Sequence, residues 1–229
     1  MAKNYFLTGT DTDCGKTLIA AALLHCASVK GLRSLGLKPI AAGSIDVDGK
    51  PRNEDALLLM QHANVALPYA QVNPVLFEEA IAPHIAAEKN QRSVTVSQLE
   101  GFMRGALMTP ADFRVIEGAG GWLVPVNRRE PLSELPKRLK TEVIVVVGMK
   151  LGCINHAMLT LAAIARDGLN VAGWVANQID ADMQCLAENI ATLEQIIPAP
   201  CLGKVPYLQG NDQVVAAASY LQLPESVQL

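Results

Sequence analysis

Nine residues near the start of the chain, Gly9-Thr10-Asp11-Thr12-Asp13-Cys14-Gly15-Lys16-Thr17, restrict its fold more than any other stretch. They follow an apolar run, Tyr5-Phe6-Leu7, and precede a helical one, Leu18 to Val29. Strand, glycine-bounded loop, Gly-Lys-Thr and helix is the layout of a phosphate-binding loop. Glycines let the backbone wrap close to an anion. Successive N–H groups and the helix dipole then give positive potential at the helix start. Lys16 is expected to reach the β- and γ-phosphates of a nucleotide, and the Thr17 hydroxyl to sit on Mg²⁺. The loop is one residue longer than the usual pattern, with five residues, Thr10 to Cys14, before Gly15-Lys16. A Gly-Lys-Thr triplet alone also occurs at ordinary helix starts; the order of the flanking elements gives it weight.

The rest of the chain alternates strand and helix patterns. Strands are predicted at Asn4–Thr8, Ser34–Lys38, Pro74–Phe77, Phe113–Glu117, Glu142–Gly148, Val171–Ala176 and Cys201–Val205. Helices are predicted at Lys16–Lys30, Glu54–His62, His84–Lys89, Ile154–Asp167, Met183–Ile196 and Asn211–Leu221, with a weak one at Leu132–Leu139 around Pro136. Another, ending near Met108, opens on a capping box of either Thr95 with Gln98 or Ser97 with Glu100. Ala41 to Arg52 reads as loop, 63 to 83 as mostly irregular, and Trp122–Val126 as an extension of the Phe113 strand after a break. The β-branched run within Glu142–Gly148 implies burial on both faces, hence a central parallel strand. The expected fold is α/β: one P-loop NTPase-like domain over 1–229, with a doubly wound, mostly parallel sheet and helices on both faces.

With 229 residues, half of them apolar and only 4% aromatic, the core is aliphatic. A net charge of −3 without a long basic block argues against nucleic acid or membrane as the main partner. Arg128-Arg129 and Lys137-Arg138-Lys140 read as solvated faces. Five cysteines without a C-x-x-C pair give no disulfide framework or zinc spacing. Free thiols and an N-terminus that opens straight into a strand suggest a cytoplasmic protein. His25, His62, His84 and His156 stand singly and receive no role.

In doubly wound sheets, ligands bind beyond the carboxyl ends of the strands. Lys38, Glu117 with Gly118-Ala119-Gly120, Lys150 to Gly152, and Asn177 all fall there beside the loop. Glu117 suits Mg²⁺, held directly or through water. Asp55 is open to two readings, metal ligand or helix-start anion. Lys38 is a second cation for the phosphates. Asn177 can match an adenine edge, although Asn177-Gln-Ile-Asp180 also loosely resembles the guanine reader of GTPases.

Taken in order, Gly9 to Thr17, Lys38-Pro-Ile-Ala-Ala-Gly43, Arg52-Asn-Glu-Asp55, Asn73-Pro74, Pro83-His84, Glu117-Gly-Ala-Gly-Gly-Trp122, Gly152-Cys-Ile-Asn-His-Ala157, Gly173-Trp-Val-Ala-Asn177 and Pro198-Ala-Pro200 resemble the dethiobiotin synthetases. The resemblance spans nearly the whole chain. It implies a homodimeric, ATP- and Mg²⁺-dependent cyclo-ligase acting on 7,8-diaminononanoate and CO₂. By matched position, Thr17, Asp55 and Glu117 bind Mg²⁺. Asp13, Cys14, Gly15, Lys16, Thr17 and Leu18 hold phosphates. Asn177 with Gln178, and Pro206, Tyr207 and Leu208, surround adenine, with Gln213 near the ribose. Thr12, Lys16 and Lys38 face the diamine or its carbamate, with Ala42 close by. Gly152, Cys153, Ile154 and Asn155 receive the substrate carboxylate across the dimer interface. Ala42, Asn189 and Gln213 stand where various members carry serine, tyrosine and glutamate, so a paralogue with a shifted substrate is one alternative. A P-loop switch ATPase or GTPase is the other. The ATPase version lacks its signature lysine, since Thr10 and Asp11 stand early in the loop. ATP is expected over GTP.

Overall fold

The computed structural model describes residues 3–227. The reading of an N-terminus without a leader rests partly on Met1 and Ala2, which lie outside them. The chain opens with β1 (Lys3–Gly9), α1 (Lys16–Val29), β2 (Ser34–Leu37) and β3 (Ile40–Ala42). Next come β4 (Ile45–Val47), β5 (Lys50–Arg52), α2 (Glu54–His62), α3 (Tyr69–Val72) and β6 (Val75–Phe77). Then follow α4 (Pro83–Lys89), α5 (Val96–Leu107), β7 (Phe113–Glu117), α6 (Glu134–Leu139) and β8 (Glu142–Met149). The last elements are α7 (Cys153–Arg166), β9 (Val171–Gln178), α8 (Leu186–Ile196), β10 (Cys201–Val205) and α9 (Gln213–Ala218), with a 3₁₀ turn at Glu225–Val227.

Six strands form the main sheet in the order β10-β9-β8-β1-β7-β2, all parallel. Alternation along the strands feeds two cores. On β8, Val143, Val145 and Val147 pack with α5, α6, α7 and α8, while Ile144 and Val146 pack with α1, α2 and α9. On β1, Phe6 faces the first core, and Tyr5 and Leu7 the second. The unbroken apolar run of β8 therefore has a partner on each face, as a central parallel strand requires. This is the expected doubly wound α/β fold. No helix among the described residues is long and apolar enough to cross a membrane.

Register places the chemistry. Leu37 pairs with Ile116, and Ile116 with Phe6, so Lys38 and Glu117 leave the sheet at one level. On the other side of β1, Gly9 pairs with Val146, and Gly148 pairs with Asn177.

Several local readings need correction. Ala41 to Arg52 is not simply loop: β3 pairs with β6 in a separate parallel ribbon, and β4 and β5 form an antiparallel hairpin. The hairpin turns at Asp48-Gly49, both at positive φ, a known signature of a tight hairpin turn. The nominally irregular stretch holds α3, which starts after Pro68. Trp122–Val126 does not extend β7. Instead Trp122 is buried, sits edge-on to Phe6 with ring centroids 6.0 Å apart, and donates from Nε1 to Asp167 at 2.8 Å. Packing of that one large ring overrides the strand-like pattern. The capping box is Thr95 with Gln98, with both reciprocal bonds present. Pro136 sits in the first turn of α6, where its missing N–H costs no helical bond. The helix expected from Met183 begins at Leu186, after Cys185 in the left-handed region, and α9 covers only the middle of Asn211–Leu221.

Candidate active site

The loop after β1 is built to present backbone N–H groups. Gly15, at φ 87°, ends it and caps α1, and no side chain occupies the helix's N-terminal donors. The loop is braced from below. Thr10 N–H donates to Val146 O at 3.0 Å, and Gly148 N–H donates to Thr10 Oγ1 at 3.3 Å. Cys14 is fully buried against Gly148, where a Cβ would collide with it. Asn177 Nδ2 donates to Cys14 O at 2.9 Å. Cys14 is thus an inward-facing prop of the loop.

A side chain at Gly15 would meet both a left-handed backbone and the Asn177 amide. Gly15→Ala is expected to cost about 1–3 kcal/mol from backbone strain alone. It should also displace Asn177 and weaken nucleotide binding at least tenfold. Thermal unfolding and nucleotide calorimetry on the variant check both; a wild-type Kd would show that the loop relaxes freely.

Lys16 is buried and folds back over its own loop, donating to Asp11 O at 2.8 Å. Asp11 accepts from Thr12 N–H at 2.8 Å and pairs with Lys150 at 2.8 Å. The hydrogen bond from Lys150 holds the Asp11 carboxyl below its usual range. Lys150 follows β8, so this pair ties the adjacent β1 and β8 loops together. Sequence reading missed it, because nothing in the spacing of residues 11 and 150 announces a contact.

One cation sits between two acids at the end of β2 and β7. Lys38 Nζ lies 2.6 Å from Glu117 Oε1 and 2.7 Å from Asp55 Oδ2, and donates to Gly118 O at 3.2 Å. Thr17 Oγ1 donates to the same Glu117 oxygen at 2.8 Å. Asn73, also unassigned from sequence, fixes the backbone here by donating from Nδ2 to Lys38 O at 2.7 Å. Asp55 reaches the group from the first turn of α2, whose N-cap Asn53 accepts from Ala56 N–H at 3.2 Å. Lys38 and Glu117 are almost wholly buried. Burial pulls the Lys38 pKa down, but the Glu117 and Asp55 charges outweigh it and leave it raised. Burial, with Asp55 close by, pushes Glu117 up despite Lys38. Burial also pushes Asp55 up, but Lys38 and the Thr17 hydroxyl bring it below its usual value. Two carboxylates sharing one ammonium split in this way, with the more buried one more readily protonated.

Glu117 Oε2 is buried and has no hydrogen-bond partner. Such an atom normally finds one. An unsatisfied carboxylate oxygen beside the Thr17 hydroxyl and Asp55 is a hard donor set that suits Mg²⁺. Among the described residues no group of three His, Cys, Asp or Glu converges on a metal.

These groups open on a cavity of about 810 Å³. Thr12, Asp13, Gly15, Lys16, Thr17, Lys38, Ala42, Asp55, Glu117, Ala119 and Gly120 all line it. Its apolar wall, unassigned from sequence, comes from Ala41, the segment Ala80-Ile81-Ala82-Pro83, and Val124. The other candidates lie outside it. Cys14 is beneath the loop, Leu18 packs on the α1 side, and Gly118 offers its carbonyl to Lys38. Asn177 braces Cys14, while Gln178 bridges two loops, accepting from Tyr207 N–H at 3.2 Å and donating to Asp180 O at 3.0 Å. Pro206 and Leu208 flank the exposed Tyr207, and Gln213 is exposed at the start of α9. Gly152, at φ 93°, opens α7 with no side-chain cap; Cys153 is buried, Ile154 half-buried and Asn155 exposed.

Comparison with known proteins matches this geometry to a family. A family model described as an AAA domain matches residues 3–214. The ATP-dependent dethiobiotin synthetase BioD of Cellvibrio japonicus is 54% identical over 221 residues, 96% of each chain. That of Pseudomonas aeruginosa PAO1 is 49% identical over 214 residues, 93% of this chain and 94% of its own. Among solved structures, the septum site-determining protein MinD from Pyrococcus horikoshii, complexed with Mg-ADP, superposes with a TM-score of 0.58 at 14% identity, covering 95% of this chain and 93% of that one. The signal recognition particle receptor FtsY from Elizabethkingia anophelis gives 0.56 at 16% identity; 95% of this chain is covered, which spans 65% of FtsY. At such identities these two likenesses speak to the fold alone. The P-loop sheet and near-full-length identities of about one half show that the chain belongs to the ATP-dependent dethiobiotin synthetase family.

Proposed function

We propose that this chain is an ATP- and Mg²⁺-dependent ligase that carboxylates 7,8-diaminononanoate with CO₂ and closes the ring to dethiobiotin, releasing ADP and phosphate. It would serve biotin synthesis in the cytoplasm. The observation that carries this reading is the buried Lys38 ammonium, set between Asp55 and Glu117 at the wall of a cavity that also holds Lys16. A neutral amine and CO₂ form a carbamate without a protein nucleophile. Carbamate is a poor electrophile, so the γ-phosphoryl group of ATP transfers to its oxygen and gives a carbamic–phosphoric anhydride. The second amine attacks that carbon and expels phosphate.

The protein's task is to hold anions together. Lys16, the loop N–H groups of Asp13 to Leu18 and Lys38 supply the positive charge. Thr12 borders the same space and suits a contact to the diamine or its carbamate. Thr17, Asp55 and Glu117 would hold Mg²⁺, which when bound neutralises charge on the phosphate oxygens. Asn177, Gln178 and Pro206 to Leu208 would form the adenine side, with Gln213 near the ribose. Ala41, Ala42 and Ile81 offer apolar surface for the aliphatic chain.

Phosphate release from ATP, measured with and without the diamine and bicarbonate, tests the reading. Release is expected only when both are present, with dethiobiotin found by mass spectrometry. Release indifferent to the diamine would mean a plain ATPase.

The carboxylate is assigned to Gly152–Asn155 of the partner subunit, an open helix start. Leu151, 95% exposed, and Leu159, 63% exposed, flank it and suit burial between two copies. Sedimentation should give a dimer at micromolar concentration. A fully active monomer would remove this part of the proposal.

A further inference from the structure

A second cavity, of about 280 Å³, opens between α4 and the turn at 124–131. The same two segments give Pro83 and Val124 to the larger cavity. Its lining is basic. Arg92, Arg128 and Arg129 face it with His84, against the single acid Glu88. The Arg92 guanidinium is held in place, 5.0 Å from the Phe77 ring centre with Nη1 donating to Leu76 O at 3.1 Å. Arg128 is engaged with Glu88, Nε to Oε1 at 2.7 Å and Nη2 to Oε2 at 3.3 Å. Among the described residues, Arg129 is in no ion pair; its backbone N–H is fixed by Asn127 Oδ1 at 2.9 Å. His84 Nδ1 is buried and has no hydrogen-bond partner.

Three guanidinium groups and one carboxylate leave an excess of positive charge in a formed cavity. His84 lines the cavity, but its Nδ1 is shut off from solvent, so the arginines carry the recognition. Guanidinium forks match phosphate and carboxylate oxygens in pairs. We propose that this cavity is a second anion site, separate from the P-loop, that takes a small polyvalent oxyanion, a phosphate or a polycarboxylate. The incoming anion competes with Glu88 for Arg128. Arg128 and Arg129 are solvent-exposed, as read from the sequence, and the proposed site adds a ligand for that face.

The test uses the full chain saturated with Mg²⁺ and a non-hydrolysable ATP analogue, so that the P-loop is already filled. Inorganic phosphate and citrate are titrated separately by calorimetry. One further anion is expected to bind. Replacing both Arg92 and Arg129 by Gln should raise its Kd about tenfold or more, by loss of two charge-assisted contacts. Glu88→Gln should lower Kd several-fold, because the competing carboxylate is gone. Opposite signs from the two variants cannot come from misfolding. Tighter phosphate identifies a phosphate ligand and tighter citrate a polycarboxylate; either supports the site. No binding of either anion to the nucleotide-filled protein, or a Kd indifferent to all three substitutions, overturns it.

Discussion

Lys38→Gln is expected to lower dethiobiotin formation by about 10²–10³-fold, roughly 3–4 kcal/mol of transition-state stabilisation. ATP affinity should change only several-fold. A P-loop binds nucleotide with Lys16, Thr17 and Mg²⁺, whereas Lys38 belongs to the point where carbamate and γ-phosphate must meet. Its ammonium lies between Asp55 and Glu117, at 2.7 and 2.6 Å. If those carboxylates turn to Mg²⁺, the ammonium is left for the reacting anions. Lys16→Gln should instead weaken binding and turnover together. Nucleotide calorimetry and mass-spectrometric product assays separate the two variants. Near-normal turnover in Lys38→Gln would reduce Lys38 to a counter-ion and remove the centre of the proposed mechanism.

The same substitution has a stability signature with a definite sign. Losing one partner of a buried ion pair typically costs about 3–5 kcal/mol, unless the stranded charge is neutralised. Glu117 is already pushed up by burial, and without Lys38 it rises further. A carboxyl whose folded pKa lies above its unfolded value adds stability in acid and loses it as pH rises through the folded pKa. The deficit of Lys38→Gln relative to wild type should therefore be small below the unfolded glutamate pKa and grow toward neutrality. Unfolding midpoints across pH check the trend.

Glu117→Gln carries the second large effect. The amide keeps the size and one acceptor oxygen for Thr17 and Lys38 but removes the charge. If Glu117 Oε2 meets the metal, turnover at fixed Mg²⁺ should fall by at least about 10–100-fold, the loss typical even of an indirect metal partner. The deficit should shrink as Mg²⁺ is raised, with the half-saturating concentration shifted upward by a similar factor. An unchanged Mg²⁺ profile would mean that Glu117 serves only to anchor Lys38.

The sheet was readable because its signals are local. The valine run of β8 needs burial on both faces and admits few alternatives. The loop from Gly9 to Thr17 is bounded by the elements that its chemistry requires. Lys38 and Glu117 were recognisable as residues closing strands on one edge; that they touch depends on β2 and β7 being neighbours, a matter of strand order. What stayed hidden depended on single long-range contacts. Trp122 buries its ring on Phe6 and leaves the strand pattern of its segment unused. The pairing of Asp11 with Lys150 links positions 139 residues apart. The hairpin at Ile45–Arg52 was legible in principle from Asp48-Gly49, but its strands are three residues each, and the second, Lys50-Pro51-Arg52, has no apolar alternation to support the turn.

The register of β1, β2 and β7 has a consequence for how such chains can vary. Lys38, Glu117 and the root of the P-loop are spaced by ladder hydrogen bonds, which hold neighbouring strands about 4.8 Å apart whatever the loops do. The β4–β5 hairpin hangs beyond Gly43, outside that ladder and exposed. Residues can be gained or lost at its tip without moving either lysine. Changing the length of β2 or β7 by one residue would carry a cation or an acid out of the cavity. Relatives are thus free to differ in length where the chain meets solvent, while the stretches from Ser34 to Lys38 and from Phe113 to Glu117 act as a fixed gauge.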